Sequence, residues 1–442
     1  MLPETLFLFI FFTIYKTKVM EKHYQVLIIG GGTAGIMTSA FMRRKAPNVK
    51  IAIMDPTRDH FYQAAWTLVG AGTFNYADTR RDEASVIPQG VDWIKEFAEK
   101  ILPEVNKVVT KSGDEYRYDY LVVAPGLVMD LDGIPGLREA LKTDSVCSNY
   151  TDPKHTWEVL RNFKGGNAVF TQPSTPIKCG GAPQKIMYLA EEAFVKQGVR
   201  EKTNVIYATP GGVIFGVKVF ADTLNDVLKR KQVITKYAYN PIKIDSVQKK
   251  IWFKYMKADA DLSSVIPDAK IGESFEDTHT ICVPYDMLHL APPQKAPDFI
   301  RNSELAHQDG ASKGWMNVDI HTLQHKQYGN IFSLGDVAAL PTAKTGAAIR
   351  KQAPVVVENI LTLMKHGTVL PRQYSGYSSC PLVTGYGKMV LAEFKYDNVR
   401  DSDPMLSKIW DTSKEQYSMW ILKKYGLPFL YWNMMMKGKM ME

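Results

Sequence analysis

Two cysteines lie on stretches of small and stiff residues, where a thiol is better placed for chemistry than for packing. Cys179 is in the segment STPIKCGGAP, next to two glycines and bracketed by two prolines. Cys380 is in the segment YSGYSSCPLVTGYG and is also followed by a proline. The thiolate of cysteine is a nucleophile and takes part in thiol–disulfide exchange. Two such loop thiols indicate dithiol or polysulfide chemistry.

The composition is that of a globular protein with two or three domains. The chain has 442 residues, 45% of them hydrophobic, and a net charge of +8. The charge excess is modest and forms no Lys/Arg-rich arm, so we predict no nucleic-acid binding. The remaining cysteines, Cys147 and Cys282, form no metal-ligand spacing with the first two. We predict structural roles for them and no metal site.

A glycine-rich turn near the N-terminus predicts a dinucleotide-binding unit. The apolar strand in YQVLIIGGGTAGI runs into Gly30, Gly32 and Gly35, spaced G-x-G-x-x-G, and a helical segment follows. A second apolar strand, KIAIMD, ends in Asp55. The glycines permit the turn, the approach of a pyrophosphate and close helix packing, while the acidic residue binds a ribose hydroxyl.

Two later strands favour FAD over NAD as the bound dinucleotide. They are YDYLVVAPG and NIFSLGDVAALP, the second of which contains Asp336. The chain resembles flavoproteins with two dinucleotide-binding domains, in which such a returning strand and its aspartate close the FAD site. The next segment predicts a helix that begins with Lys344, Thr345, Gly346 and Ala347. The resemblance implies that this helix N-terminus and Lys344 stabilise negative charge on the reduced flavin.

The second domain lacks the motif that a nicotinamide dinucleotide needs. Its first predicted strand, 167–176, is followed by a cysteine and one glycine pair instead of a G-x-G-x-x-G turn. The next predicted strand, 204–210, ends without a residue that reads a ribose. We therefore predict a sheet that has lost its NAD site and presents Cys179 at the strand end, where a helix N-terminus lowers its pKa.

These patterns predict an α/β fold with two Rossmann-like domains of the FAD/NAD(P)-binding type and a C-terminal membrane-contacting segment. The predicted FAD domain is discontinuous, 21–128 and 295–370, the second domain is 129–294, and 371–442 is the quinone and membrane region. Residues 1–20 form an apolar extension, with an apolar run at 5–15. That run is interpreted as sequence upstream of a true start at Met20, or alternatively as a membrane anchor.

The C-terminal segment mixes aromatic residues with lysines, as membrane-surface segments do. Pro428 is expected to break it into two short pieces, neither able to span a bilayer. We predict a monotopic contact made by Trp420, Leu422, Tyr425, Phe429, Leu430, Tyr431 and Trp432 together with Lys423, Lys424, Lys437 and Lys439.

Five segments together carry a more specific resemblance. They are HFYQAAWTLVGAG, TPIKCGGAPQKIMYLAEEAF, PYDMLHLAPP, SLGDVAALPTAKTGAA and SCPLVTGYGKMVLAEF. Over residues 22–436 the chain resembles the sulfide:quinone oxidoreductases, especially the branch that includes the mitochondrial enzymes. The resemblance implies that Cys179 is the redox cysteine beside the flavin and Cys380 the one that carries sulfane sulfur. The third cysteine of other branches has no clear match.

The resemblance also implies a cofactor site, partners and a reaction. Sulfide attacks a sulfur bridge between the two cysteines, Cys179 reduces the flavin, and the electrons pass to a membrane quinone. A small thiol, sulfite or a similar acceptor removes the sulfur. Tyr386 and Phe394 are expected to flank the quinone, and His289 to relay protons or to be structural. The matching FAD positions are Gly31, Gly32, Asp55, Gln63, Ala98, Asp336 and Lys344 through Ala347.

Other functions stay open at this point. A type II NADH:quinone oxidoreductase shares the architecture but needs a second nucleotide motif and has no use for the two cysteines. A non-catalytic flavin-binding interaction protein does not require both cysteine segments. A flavocytochrome sulfide dehydrogenase subunit requires export, for which no good signal peptide is visible. The absence of a transit-peptide pattern favours the bacterial cytoplasmic membrane, with the mitochondrial inner membrane as the alternative.

Overall fold

The computed structural model describes residues 22–258, 260–367 and 372–439. The apolar run at 5–15 and the alternative start at Met20 lie outside the described residues. The described part forms two α/β units and a C-terminal segment, so the predicted fold class is confirmed.

The first unit begins with a parallel sheet that is extended by two antiparallel strands. Its elements are β1 (Lys22–Ile29), α1 (Thr33–Lys45), β2 (Ile51–Met54), β3 (Asp59–Phe61), α2 (Trp66–Gly70), β4 (Arg80–Asp82), α3 (Glu83–Val86), β5 (Val91–Ile94), β6 (Ala98–Leu102), β7 (Lys107–Thr110) and β8 (Glu115–Val123). The strand order is β5-β2-β1-β8-β7-β6, with β6 and β7 antiparallel to their neighbours. The end of β1, Val26–Ile29, is buried throughout because helices and loops cover both faces of the sheet.

The second unit combines a parallel and an antiparallel sheet. Its elements are β9 (Val128–Met129), α4 (Leu137–Ala140), β10 (Val146–Cys147), α5 (Pro153–Asn162), β11 (Gly166–Thr171), α6 (Ala182–Lys196), β12 (Thr203–Thr209), α7 (Lys218–Arg230), β13 (Ile234–Tyr237), β14 (Tyr239–Asp245), β15 (Lys250–Tyr255), β16 (Ser274–Phe275), β17 (Thr280–Pro284) and β18 (Met287–Leu290). The sheets have the orders β10-β18-β11-β12-β13 and β14-β15-β17-β16.

β11 is shorter than its predicted range of 167–176. It ends at Thr171, and residues 172–181 form a loop that leads into α6. Pro173 and Pro176 lack the N–H that a strand in the middle of a sheet must donate, so they end the strand early. Cys179 therefore lies at the far end of this loop, against the start of α6.

The chain then returns to the first sheet. The elements are β19 (Gln294–Lys295), α8 (Asp298–Arg301), β20 (Ile331–Ser333) and α9 (Gly346–His366). β20 pairs in parallel with the end of β8, and β19 pairs with β9, so the two passages between the units run side by side. We propose the division at 128/129 and 294/295, within the paired strands β9 and β19 that connect the two units, as the domain boundary.

The C-terminal segment consists of a small sheet and a helical run. Its elements are β21 (Ser378–Gly385), β22 (Lys388–Lys395), β23 (Val399–Arg400), α10 (Pro404–Ile409), α11 (Tyr417–Ile421), a π-helical turn at Leu422–Gly426, and α12 (Leu427–Asn433). The predicted break at Pro428 is wrong, because the helical run continues from 417 to 433. The π turn widens the helix just before Pro428, whose ring and missing N–H would otherwise disrupt an α-helical ladder.

A largely buried group of ion pairs and hydrogen bonds links the C-terminal sheet to α6. The Lys231 ammonium lies 2.7 Å from a carboxylate oxygen of Glu191 and 3.0 Å from one of Glu192. The other Glu192 oxygen accepts the backbone N–H of Tyr386, in the turn after β21, at 2.6 Å. Partial exclusion of water strengthens these contacts. They help to set the position of β21, and of Cys380 on it, relative to α6.

Candidate active site

The turn between β1 and α1 is shaped for a pyrophosphate. Gly30 has φ +104°, and a Cβ there would lie 2.2 Å from the carbonyl oxygen of Ala124. A Cβ on Gly35 would lie 1.9 Å from the carbonyl oxygen of Gly30. Gly32 caps α1 without a side-chain hydrogen bond, and a Cβ there would meet nothing within 4 Å. The first N–H groups of α1 thus face an open approach, which suits an anion.

Asp55 and Asp336 close the two ends of this turn region. Asp55 follows β2 and accepts the N–H of Gly31 at 2.6 Å and the N–H of Thr57 at 2.8 Å. Asp336 follows β20, where burial raises the pKa of its carboxyl while Lys344 and Lys178 oppose that shift. A bare glycine cradle between two carboxylates fits the pyrophosphate and ribose of a dinucleotide.

The start of α9 lies against the loop that carries Cys179. α9 begins at Gly346, later than predicted, and Thr345 caps it by accepting the N–H of Ala348 at 3.1 Å. Lys344 is not in the helix. Its ammonium donates to the carbonyl of Ala338 at 2.9 Å, and burial lowers its pKa to about 8. A Lys344 carbonyl that accepts the N–H of Cys179 at 2.7 Å joins the two segments.

Three further predicted cofactor residues, Gln63, Ala98 and Ala347, lie in different parts of the first unit. Gln63 accepts a hydrogen bond from the Lys178 ammonium, so it lies beside the Cys179 loop. Ala98 begins β6, pairs with Thr110, and offers only its backbone to a ligand. Ala347 is in the first turn of α9.

The backbone of Cys179 is held in a conformation that L-residues rarely adopt. Its φ is +52°, in the left-handed region. Three hydrogen bonds fix it there: its N–H to Lys344, and its carbonyl from the Ala182 N–H at 2.7 Å and the Tyr150 hydroxyl at 3.3 Å. Strain of this kind persists where the surroundings over-determine the backbone, and it aims the side chain.

Cys380 meets Cys179 although the two are far apart in the chain. Cys380 is not on a loop, as predicted, but inside β21, where it is buried and pairs with Ala392. The sulfurs of Cys380 and Cys179 lie close enough for each to shift the pKa of the other thiol, and both cysteines are free thiols. Gly181 makes the approach possible, since a Cβ there would lie 2.5 Å from the Cys380 sulfur.

The two sulfurs have opposite acidities. The hydrogen bond from Cys380, and then the nearby Lys185, hold the pKa of the Cys179 thiol well below its usual range against the effect of burial. The same hydrogen bond and burial hold the pKa of the Cys380 thiol well above its usual range. The Lys185 ammonium donates to the Cys179 sulfur at 3.0 Å. The pair is thus a thiolate at Cys179 and a thiol at Cys380.

A second lysine enters the site from the C-terminal helical run. Lys423, predicted to face a membrane, is only 3% exposed and donates to the carbonyl of Ala64 at 2.8 Å. Burial, and repulsion from Lys185, lower its pKa to about 7, while both cysteines act in the opposite direction. The interpretation of Lys423 as an interfacial lysine is wrong, because its ammonium belongs to the thiol site.

Several other predicted residues lie outside this site. His289 is fully buried, and burial lowers its pKa to about 3, so it stays neutral near pH 7 and does not suit proton relay. Burial raises the pKa of both Cys147 and Cys282, which fits structural thiols. Tyr386 lies in the turn of the β21–β22 hairpin and Phe394 at its open end. Eight residues of strand, roughly 26 Å, separate them, so both cannot flank one ring.

The helical run presents a narrower apolar surface than predicted. Trp420 and Tyr431 are buried, whereas Tyr417, Ile421, Tyr425 and Phe429 are exposed at a spacing of four residues. We call these four residues the outer stripe. In the described ranges of the chain, no helix is both long enough and apolar enough to cross a membrane.

The sequence analysis did not place Lys185, Lys423 or Tyr150 in the thiol site. Lys185 occupies the first turn of α6 and is followed by an apolar run, IMYLA, so it is a cation at the edge of a buried face. Lys423 is in WILKKYG, where a lysine pair interrupts a helical apolar pattern. A lysine that interrupts such a pattern was an available signal for both. Tyr150 has no comparable signal.

The contact at Gly181 yields a direct test. In Gly181→Ala the new Cβ must displace the Cys380 sulfur, so disulfide formation between the two cysteines should slow about 10- to 100-fold. Thiol titration after mild oxidation measures this rate. Gly180→Ala is the matched control, because a Cβ on Gly180 would meet nothing within 4 Å. Equal oxidation rates in the two variants would contradict the contact.

Comparisons with known proteins agree with this geometry. Residues 24–162 match the family described as pyridine nucleotide-disulphide oxidoreductase. The mitochondrial sulfide:quinone oxidoreductase of Mus musculus is 42% identical over 420 residues, which are 95% of this chain and 87% of the mouse protein. The X-ray structure of the sulfide:quinone oxidoreductase of Aquifex aeolicus has a TM-score of 0.70 at 21% identity and covers 93% of this chain and 91% of that chain. The last likeness is one of fold.

The same comparisons bear on the alternatives. A type II NADH:quinone oxidoreductase of Staphylococcus aureus is 29% identical over 148 residues, which are 32% of this chain and 36% of that protein. This distant and partial match does not favour the NADH hypothesis. The preference for a bacterial membrane is not supported, since the relative at 42% identity is a mitochondrial protein.

Proposed function

The chain belongs to the sulfide:quinone oxidoreductase family, and from this premise we propose how its residues carry out the reaction. It is a flavin-dependent oxidoreductase that takes electrons from sulfide and gives them to a quinone. The flavin we propose is FAD, held by the turn at Gly30–Gly35, by Asp55 and by Asp336. The single observation that carries the proposal is the meeting of Cys179 and Cys380, where the Lys185 ammonium lies 3.0 Å from the Cys179 sulfur and a Cβ on Gly181 would lie 2.5 Å from the Cys380 sulfur.

The acidities of the two cysteines assign their roles. In the oxidised enzyme a sulfur bridge joins them, and hydrosulfide attacks it at Cys380. The bond between the sulfurs breaks, which leaves a persulfide on Cys380 and releases Cys179 as the thiolate. Lys185 stabilises that thiolate because its ammonium donates to the sulfur at 3.0 Å. Cys179 is therefore the better leaving group and the electron donor.

The sulfur and the electrons then leave the site. A small thiol or sulfite takes the outer sulfur from Cys380, and the bridge between the two cysteines re-forms with the loss of two electrons. A flavin held by the turn at Gly30–Gly35, Asp55 and Asp336 would supply the acceptor for these two electrons and the route to a quinone, which takes them up with two protons. The bond between the Cys179 N–H and the carbonyl of Lys344, just before the cap of α9, supports a position of the redox pair beside the proposed cofactor site.

A cavity on one side of the site suits the quinone ring. It has a volume of about 400 Å³ and is lined by Phe215, Phe394, Leu340 and Ala343, among others. Ala343 directly precedes Lys344, so the cavity adjoins the start of the α9 segment. The lining also includes Thr342, Lys395 and Asn398, and its aromatic part, Phe215 and Phe394, suits a flat quinone ring. We retain Phe394 as a quinone contact and not Tyr386.

The outer stripe supplies the membrane contact in this proposal. An exposed row of Tyr417, Ile421, Tyr425 and Phe429 lets the helical run lie on a bilayer surface, where quinones dissolve. The mitochondrial relative makes a mitochondrial membrane the proposed location.

Anaerobic mixing experiments test this function. The absorbance of the purified protein's flavin should fall on addition of sulfide and return on addition of a soluble quinone. NADH, added in a parallel sample, should leave the absorbance unchanged. A flavin that responds to NADH and ignores sulfide would overturn the proposal.

A further inference from the structure

A buried chain of hydrogen bonds joins the C-terminal helical run to the dinucleotide turn. The hydroxyl of Tyr431, on α12, lies 2.8 Å from the hydroxyl of Thr33 in the first turn of α1. The same hydroxyl lies 2.6 Å from Nε2 of His60. Nδ1 of His60 lies 3.1 Å from the carbonyl oxygen of Gly31. Tyr431 is thus linked to both ends of the dinucleotide turn, directly to Thr33 and through His60 to Gly31.

With the tautomer of His60 that carries its proton on Nδ1, every member of this series of hydrogen bonds is paired. Thr33 donates to Tyr431, Tyr431 donates to Nε2 of His60, and Nδ1 of His60 donates to Gly31. Burial raises the pKa of the Tyr431 phenol, so it keeps the proton that it donates. Tyr431 and His60 are each 3% exposed. Water therefore cannot readily replace a missing partner, and each lost bond leaves a buried polar atom unpaired.

The carboxyl group of Glu83, which lies beside His60, has an unpaired oxygen that a ligand could bind. Glu83 is 1% exposed, and its Oε2 lies 3.3 Å from Nδ1 of His60. Within the described residues, its Oε1 has no hydrogen-bond partner. That oxygen is pressed against the turn, since a Cβ on Gly31 would lie 2.3 Å from it. Burial raises the pKa of the Glu83 carboxyl, while His60 opposes that shift. An unpaired carboxyl oxygen beside Gly31 can hydrogen-bond to a hydroxyl of a ligand, such as that of a ribose.

Packing around Tyr431 holds its side chain in position for these hydrogen bonds. Its ring contacts that of Tyr62, with centroids 4.5 Å apart. Beyond α12, Gly438 has φ +58°, and a Cβ there would lie 2.7 Å from the backbone of Ala40 in α1. The backbone at Gly438 is therefore packed closely against α1, the helix whose N-terminus lies at the dinucleotide turn.

We propose that Tyr431 is a positioning residue for the flavin, which fixes the dinucleotide turn through Thr33 and His60 so that the C-terminal helical run holds the cofactor in place. This inference rests on the proposed cofactor site. The C-terminal helical run then has two roles: the outer stripe contacts the membrane, and the inward-facing Tyr431 helps to hold the flavin.

The holoenzyme of Tyr431→Phe tests the inference. Phenylalanine keeps the ring packing on Tyr62 and removes both hydrogen bonds of the hydroxyl. The rate of flavin release, followed by the rise of flavin fluorescence on dilution, should increase about tenfold. Thr33→Val should also speed release, and Thr33→Ser, which keeps the hydroxyl, should restore the wild-type rate. The Thr33 pair keeps the test available if Tyr431→Phe does not fold.

Tyr239→Phe is the matched control. Tyr239 is 5% exposed and donates to Glu273 at 2.8 Å in the second unit, away from the dinucleotide turn. It should lower the unfolding temperature without changing flavin release. Release rates equal to wild type in Tyr431→Phe and Thr33→Val, or an equal increase in Tyr239→Phe, would overturn the inference. Wild-type protein that binds no flavin would instead contradict the proposed function.

Discussion

Replacement of Cys179 by serine should lower turnover with sulfide and quinone by about four orders of magnitude. A serine hydroxyl does not ionise near neutral pH, even beside Lys185, and it cannot form or break a sulfur bridge with Cys380. The electron route from sulfide to the flavin is then lost, while the dinucleotide turn is untouched. Anaerobic stopped-flow absorbance should show a bound flavin that no longer bleaches within the wild-type time range.

Cys282→Ser provides the matched control for that loss. Cys282 is also buried, but it lies in β17 opposite Trp252, in the antiparallel sheet of the second unit. Its replacement should leave bleaching by sulfide intact. Rapid bleaching in Cys179→Ser, or its loss in Cys282→Ser alone, would remove the basis for the proposed redox pair.

Replacement of Lys185 by methionine should produce the second largest effect, and that effect should depend on pH. Cys380 and Lys185 both lower the pKa of Cys179, so removal of the lysine raises that pKa and leaves less thiolate at neutral pH. Loss of a buried, charged hydrogen-bond donor costs roughly 1.5–3 kcal/mol, which corresponds to about 10- to 100-fold in rate near pH 7.

The sign of the pH dependence follows from the direction of the shift. A lowered pKa keeps the wild-type thiolate present down to acidic pH. In Lys185→Met the thiolate forms only at higher pH, so the deficit should be largest in acid and shrink in alkali. The pH profile of alkylation of reduced enzyme by iodoacetamide measures the thiolate directly. Lys185→Arg keeps the positive charge and should retain most of the acid limb, and a profile that is identical in Lys185→Met would refute the role of this lysine.

The parts of the site that are local in sequence could be predicted, and the parts that depend on distant packing could not. The turn at Gly30–Gly35 and Asp55 belong to one β-α-β unit, whose backbone demands leave a readable pattern. The contact between Cys179 and Cys380 joins positions 201 residues apart (380 − 179). The likeness of the two segments to a known family suggested it, and spacing alone could not.

Burial of charged side chains was the hardest feature to foresee. Lys423 and Lys424 look alike in the sequence, yet only the first is buried, and its pKa responds to both thiols. Which lysine turns inward depends on how α11 packs against β22 and how Tyr431 on α12 meets His60 on β3, and that is a property of the whole fold. Cys380 was assigned to a loop because prolines and small residues surround it, but pairing with β22 made that segment a strand.

The π-helical turn at Leu422–Gly426 determines in which direction around the helix axis the side chains of α12 point relative to those of α11. In an uninterrupted α-helix each residue advances by about 100°, so positions four apart drift by about 40° per step and four such positions spread over about 120°. The wider turn removes part of that drift. The outer stripe can then stay on one face while Tyr431 still points inward to His60. Deletion of a single residue from 422–426 would rotate α12 against α11 and uncouple the outward surface from the inward contacts. The π-helical turn thus accommodates Pro428, and it also keeps the outer stripe directed outward while Tyr431 is directed inward.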